Sequence, residues 1–217
     1  MQGRVTTGWL AITLVVLASA GIAARQLGAR PTEEWIKALD SPARVAALNV
    51  DDIIARLGLQ PGQVVADLGA GTGVFSVPMA KVVGPTGKVY AVDVDKGLVD
   101  YIARKVKDQK VENVVPVLGK FGDPGLPATD VDLAFMHDVL HHVEDRQGYL
   151  KQSARYLKPG ARFAIVELNA TTGPHREDPK LQVTREHLKT WMAEAGFVPG
   201  QERDLPDGKW FVIYTKR

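Results

Sequence analysis

The stretch Asp67-Leu68-Gly69-Ala70-Gly71-Thr72-Gly73 constrains this chain more than any other. It grows out of a short apolar run, Val64-Val65-Ala66-Asp67-Leu68, with the composition of a buried strand. It leads into Val74–Val83, with the composition of a helix. Glycines at such a turn let the backbone bend sharply and admit a ligand to within contact of the main chain. The helix that follows offers free N–H groups and the positive end of its dipole. A glycine triplet alone is weak evidence, but the strand–turn–helix setting makes it specific.

The same alternation continues downstream. Strands are predicted over Lys88–Val92, Val114–Leu118, Asp132–Met136 and Arg162–Leu168. Helices are predicted over Val74–Val83, Lys96–Lys107, about Asp145–Leu157 and Thr184–Ala195. Val198–Arg203 and Trp210–Thr215, separated by Pro206-Asp207-Gly208, read as an antiparallel hairpin that ends an otherwise parallel sheet. Five β–α units and a hairpin imply a doubly wound α/β sandwich with helices on both faces. Upstream, residues 31–60 read as a helical lead-in: Val45, Leu48, Ile53, Ile54 and Leu57 recur at helical spacing, and Gly58 is a natural stop.

Residues 1–30 stand apart. Trp9–Ala24 carries no charge, with Arg4 before it and Arg25 and Arg30 after. The run falls slightly short of the ~20 residues that span a bilayer comfortably. It suits a signal peptide as well, with Ala18-Ser19-Ala20 as a small-x-small cleavage site. The expectation is therefore a signal peptide or membrane anchor over 1–30, membrane association through residues 9–24, and a protein that is anchored or exported. The cytoplasmic face is favoured if the segment is uncleaved, although arginines on both flanks leave orientation almost undecided. Beyond residue 30 the chain holds 24 basic against 25 acidic groups. So neutral a body lacks the electrostatic footprint of a general nucleic-acid binder. The absence of cysteine removes disulfide scaffolds, thiolate metal sites and thiol catalysis.

A second acid fits the glycine turn. Val89-Tyr90-Ala91-Val92-Asp93 places Asp93 where doubly wound folds position an acid against ribose hydroxyls. A helix N-cap is its bland alternative, a role Asp95 is able to fill. The dinucleotide fingerprint G-x-G-x-x-G fails at Val74, and the glycines run G-x-G-x-G behind Asp67. That stretch closely resembles motif I of class I S-adenosylmethionine-dependent methyltransferases. Val89–Asp93 resembles motif II, Asp130–His142 motif IV with its following loop, and Leu157–Arg162 the L-K-P-G-G-R turn, with Ala161 for the second glycine.

The resemblance covers most of 61–217, which it marks as a methyltransferase domain. It implies a Rossmann-like seven-stranded sheet in the order 3-2-1-4-5-7-6, the last strand antiparallel, binding S-adenosyl-L-methionine over strands one and two. Gly69, Gly71 and Gly73 would face its methionine portion, Asp67 its ammonium end, and Asp93 its ribose. Ala70, Val94 and His137 would complete these contacts. Asp123 matches the second acid of a G-D-x-x-D adenine motif whose first acid is replaced by Lys120.

On the acceptor side the segment Phe135–Val143 resembles the L-H-H-V segment of quinone-biosynthesis methyltransferases, and His137, Asp138, His141 and His142 are its candidate catalytic residues. Asp138, His141 and His142 share one face if they lie on a helical turn. A structural loop, a general base acting through histidine, and a divalent-metal site all remain open. His175 and Arg176 lie in a polar stretch, Asn169–Gln182, that is either a lid or an ordinary loop. The expected function is methyl transfer to a small-molecule or lipid-like acceptor by in-line displacement. Its rivals are a degenerate cofactor-binding module and a nicotinamide-dependent oxidoreductase.

Overall fold

A computed structural model describes residues 31–173 and 175–217 of the chain. The signal or anchor expected over 1–30 lies outside the described residues. Among the described residues no helix is long and apolar enough to cross a membrane.

The lead-in forms three short helices, α1 (Thr32–Leu39), α2 (Pro42–Ala47) and α3 (Val50–Leu57). The apolar spacing from Val45 to Leu57 suggested one continuous helix. Asn49 instead adopts a left-handed conformation, φ 47°, and breaks it. Two β–α steps and a third strand come next: β1 (Val64–Leu68), α4 (Ser76–Val83), β2 (Lys88–Asp93), α5 (Lys96–Asp108) and β3 (Val114–Leu118). After β4 (Val131–His137) comes a 3-10 turn at Leu140–His142, then α6 (Arg146–Ala154) and β5 (Leu157–Leu168). Helix α7 (Arg185–Glu194) precedes β6 (Phe197–Asp204) and β7 (Lys209–Lys216).

The seven strands order as β3-β2-β1-β4-β5-β7-β6, all parallel except β7, which runs antiparallel to both β5 and β6. This is the expected doubly wound sheet. Successive strand residues feed opposite faces. Val65, Val89 and Phe135 join one core with Ile54, Met79 and Ile102, so α3, α4 and α5 cover that side. Ala66, Tyr90 and Ala134 join the other with Leu150, Leu188 and Met192, so α6 and α7 cover the second side. The chain order of helices thus changes side between β1 and β4, and a cleft at the carboxyl ends of the strands is expected there.

Two boundaries differ from expectation for local reasons. Lys158-Pro159-Gly160 does not end a helix; it is part of β5. Leu157 already pairs with Val131, and the register shifts before Leu133 meets Arg162. Lys158 Nζ to Asp132 Oδ1 at 2.7 Å pins this bulged entry. Helix α4 starts at Ser76 and not Val74, because Thr72–Phe75 continue the turn.

Candidate active site

The glycine turn is built from β1 and tied to the end of β2. The N–H groups of Gly69 and Ala70 both donate to the Val92 carbonyl at 2.8 Å, and Gly71 N–H donates to Asp93 Oδ2 at 2.8 Å. Gly69, with φ +79°, is one position where only glycine fits, because a Cβ there would lie 2.4 Å from Val139 Cγ2. Asp95 caps α5, accepting from Gly97 N–H at 2.7 Å and Leu98 N–H at 3.1 Å. Asp93 is therefore not needed as the cap. Its Oδ1 accepts from Asp95 N–H at 3.0 Å, and its Oδ2 is turned to the glycine turn. Burial raises its carboxyl above the ordinary value, against these N–H groups. Val94 follows half-buried, Ala70 is buried, and Gly73 N–H returns to the Ala70 carbonyl at 2.8 Å.

Asp67, the penultimate residue of β1, is buried and takes a 2.5 Å hydrogen bond from Ser76 Oγ. Burial pushes its carboxyl up to about 7; the Ser76 hydroxyl opposes the shift and the neighbouring Asp93 adds to it. Asp123 is placed differently. Its Oδ1 accepts from Gly125 N–H at 2.8 Å and Tyr156 Oη at 2.7 Å, and its Oδ2 from Gln152 Nε2 at 2.8 Å, so it latches the loop after β3 to the end of α6.

Helix α1 reaches this turn from the lead-in. Asp40 accepts from Thr72 Oγ1 at 2.5 Å, from Tyr101 Oη at 2.6 Å and from Lys105 Nζ at 3.5 Å. Leu39 Cδ1 lies 3.2 Å from where a Gly71 Cβ would stand. Arg44 donates to the Leu39 carbonyl at 2.9 Å and faces the charges of Asp138 and Asp40.

At the end of β4 the expected shared helical face does not form. Asp138 is left-handed, φ +56°, outside the 3-10 turn that carries His141 and His142. Such a conformation is uncommon for a residue with a side chain. Asp138 Oδ2 meets Lys209 Nζ at 2.9 Å and His137 Nδ1 at 3.3 Å, while Oδ1 is buried with no hydrogen-bond partner. Burial works against this charge, but His137 and Lys209 outweigh it and hold the carboxyl well below its usual range. His137 packs its ring on Phe75, centroids 4.8 Å apart. His141 turns to Glu167, its Nδ1 2.6 Å from Oε1. The His142 ring is 4.0 Å from that of His141, and His175 brings a third imidazole 5.1 Å from His141. Desolvation, with His141 and His175 nearby, lowers His142 to about 4. Among the described residues no three histidine, aspartate or glutamate side chains are arranged to hold a metal ion.

Among the participants that escaped the sequence analysis are Asp40, Arg44, Glu167 and Lys209, with Ser76, Tyr101 and Lys105 as their hydrogen-bonding neighbours or those of Asp67. Only Glu167 left a trace, as the single charge in the apolar run Phe163–Leu168.

The family described as "Methyltransferase domain" matches residues 59–201. A demethylmenaquinone methyltransferase of Geobacillus sp. (strain WCH70) is 29% identical over 122 residues, 56% of this chain and 52% of that protein. An arsenite methyltransferase of Halobacterium salinarum is 29% identical over 150 residues, 64% of this chain and 38% of that protein. The crystal structure of a SAM-dependent methyltransferase from Aquifex aeolicus superposes with a TM-score of 0.77 at 27% identity, over 87% of this chain and 100% of that one. The chain spans about half the length of the demethylmenaquinone methyltransferases it matches.

Proposed function

The chain belongs to the methyltransferase-domain family, and from that premise we propose that it transfers a methyl group from S-adenosyl-L-methionine to a small-molecule acceptor. The observation that carries this reading is the bond from Gly71 N–H to Asp93 Oδ2, which turns a half-buried carboxylate onto the glycine turn. The donor set fits the cofactor's charge. Asp67, Asp93 and Asp138 stand at or next to the carboxyl ends of β1, β2 and β4, which are neighbours in the sheet. Three carboxylates suit an adenosine that carries a sulfonium and an ammonium. They would oppose the pyrophosphate of a dinucleotide.

When bound, S-adenosyl-L-methionine supplies a methyl group already activated by its sulfonium. The protein's own part is to bind, orient and exclude water. Asp93 would hold the ribose hydroxyls, and Asp67 the ammonium. Gly69, Gly71 and Gly73 would give the backbone clearance, with Ala70, Val94 and His137 beside them. Asp123 already engages both oxygens within the protein, so an adenine contact through it would have to share them. Holding acceptor and methyl in near-attack geometry is worth ~7–11 kcal/mol of barrier.

A lipid-like acceptor at a membrane is the finer form of this reading. It is supported by the apolar run Trp9–Ala24 and by the quinone named in the relatives' descriptions. In this reading the segment anchors the chain, with the domain on the cytoplasmic face, where the donor is made. Fractionation of a tagged full chain tests it: recovery of all the protein from a wash of soluble contents would refute the anchor.

Calorimetric titration of the full chain with S-adenosyl-L-methionine, its demethylated product and NAD tests the function itself. Binding of donor and product is expected. Binding of NAD alone would replace the reading with a redox one, and donor binding without any transfer activity would favour a degenerate binding module.

A further inference from the structure

We propose that Glu167 is a positioning residue that sets His141 as the proton acceptor for an acceptor molecule bearing a phenolic or enolic hydroxyl. The inference rests on the methyltransferase reading and deepens it by naming the acceptor class.

Glu167 is fully buried, one residue from the end of β5, in the sheet strand next to β4. A carboxylate in such a place is tolerated only when partnered. Oε1 lies 2.6 Å from His141 Nδ1 and takes the N–H of Leu168 at 2.7 Å, and Oε2 takes the N–H of His141 at 3.2 Å. A fastener between β5 and the 3-10 turn would need only the two N–H contacts, one to each carboxylate oxygen. The charged contact to the ring does something more. It holds the proton on Nδ1 and leaves Nε2, on the far side of the ring from Glu167, as the open acceptor nitrogen.

The groups around this ring come from four elements. His142 shares its 3-10 turn, and His175 reaches it from the segment after β5. Arg146 of α6 donates to the His141 carbonyl at 3.0 Å and faces Glu167. Asp138, just after β4, faces His142. His142 is exposed and stays neutral near pH 7, which makes it a path from the buried ring to water.

In the step proposed, the acceptor O–H bond breaks as its proton passes to Nε2. The electron pair left on the acceptor forms the bond to the methyl carbon. The carbon–sulfur bond of the donor breaks with its pair going to sulfur. The Glu167 carboxylate, 2.6 Å from Nδ1, offsets the imidazolium that forms.

The test uses the full chain, S-adenosyl-L-methionine, and the hydroquinone form of a short-chain demethylmenaquinone as probe acceptor. Turnover is followed against pH for wild type, Glu167→Gln and Glu167→Asp, with donor affinity measured by calorimetry and histidine tautomers by nitrogen NMR. Glu167→Gln is expected to lower kcat by about 10²–10⁴-fold and to move the acid limb to lower pH. Donor affinity should be unchanged, Glu167→Asp should restore part of the rate, and wild-type His141 should carry its neutral-form proton on Nδ1. A Glu167→Gln enzyme with wild-type rate and acid limb overturns the relay, as does a neutral His141 protonated on Nε2; both leave the methyltransferase reading standing. Donor binding without any methylation of the probe overturns the acceptor class. A wild type that binds no donor overturns the underlying reading and the relay together. If Glu167→Gln fails to bind donor, the aspartate variant and the wild-type tautomer decide.

Discussion

Asp40, one residue past α1, accepts a 2.5 Å hydrogen bond from Thr72 inside the glycine turn, so the lead-in is clasped to the segment that carries the site. The same carboxylate takes the Tyr101 hydroxyl of α5 at 2.6 Å and holds that phenol up at about 12. Replacing Asp40 with Ala should cost about 1.5–3 kcal/mol, since hydrogen bonds to a charged group are lost. The thermal midpoint should fall by about 2–4 °C for each kcal/mol in a domain of this size. Donor affinity should weaken with it, because Leu39 packs over Gly71. Calorimetry of unfolding and of donor binding checks both outcomes; an unchanged donor affinity would show that the clasp serves stability alone.

Asp67 supplies a pH dependence with a definite sign. Its carboxyl sits at about 7 in the folded chain against 3.8 for the free group. Its favourable contribution to folding is thus fully present below about pH 4 and is lost as pH rises through about 7. A cationic donor favours the ionised form, so binding below pH 7 should release a proton, and affinity should climb toward pH 7. Titrations in two buffers of different ionisation heat measure that release. Asp67→Asn should abolish it and flatten the stability slope.

Gly69 and Val139 make a paired prediction. Gly69→Ala places a methyl 2.4 Å from Val139 Cγ2 on a backbone of φ +79°. The left-handed conformation alone costs about 1–2 kcal/mol for a residue with Cβ, and the collision adds to it. Adding Val139→Ala should recover the collision and leave the backbone penalty. Urea denaturation of the two single variants and the double variant separates the two contributions. Equal stability of Gly69→Ala alone and with Val139→Ala would rule out the collision.

Lys209→Met should leave Asp138 Oδ2 with His137 at 3.3 Å and Oδ1 still unbonded. Losing the Lys209 ammonium from a half-buried carboxylate costs about 1–3 kcal/mol. Asp138 lies below its ordinary range because His137 and Lys209 outweigh burial. The stability it contributes is present above about pH 4 and lost on acidification. The variant should therefore be destabilised at pH 7 and lose less further stability than wild type on acidification below pH 4. Denaturation midpoints at two pH values provide the check, and a constant difference between wild type and variant would deny the linkage.

How much the sequence reveals depends on how far apart the partners lie along the chain. The glycine turn, Asp93 and the strand–helix alternation are local patterns, in which composition and spacing over a few residues specify backbone conformation. That was sufficient for sheet order, through the family resemblance, and for the turn that faces Asp93. The break at Asn49 and the continuation of β5 through Lys158-Pro159-Gly160 were not, because a left-handed residue and a bulge pinned by Asp132 answer to neighbours elsewhere in the fold.

The chemistry at the far end of β4 shows the division most clearly. His141 could be picked out as a candidate from its residue type and place, yet base, metal ligand and packing side chain all stayed open from its neighbours in the chain. Contact with Glu167, 26 residues away, engages Nδ1 of the ring, and no neighbour in the chain foretells it. Asp40 likewise acquires its place from Tyr101, 61 residues on. Secondary structure follows from short-range sterics and apolar periodicity, which every stretch of chain carries within itself. Charge pairing across the cleft follows from which strand ends the folded sheet sets side by side, and no local pattern encodes that.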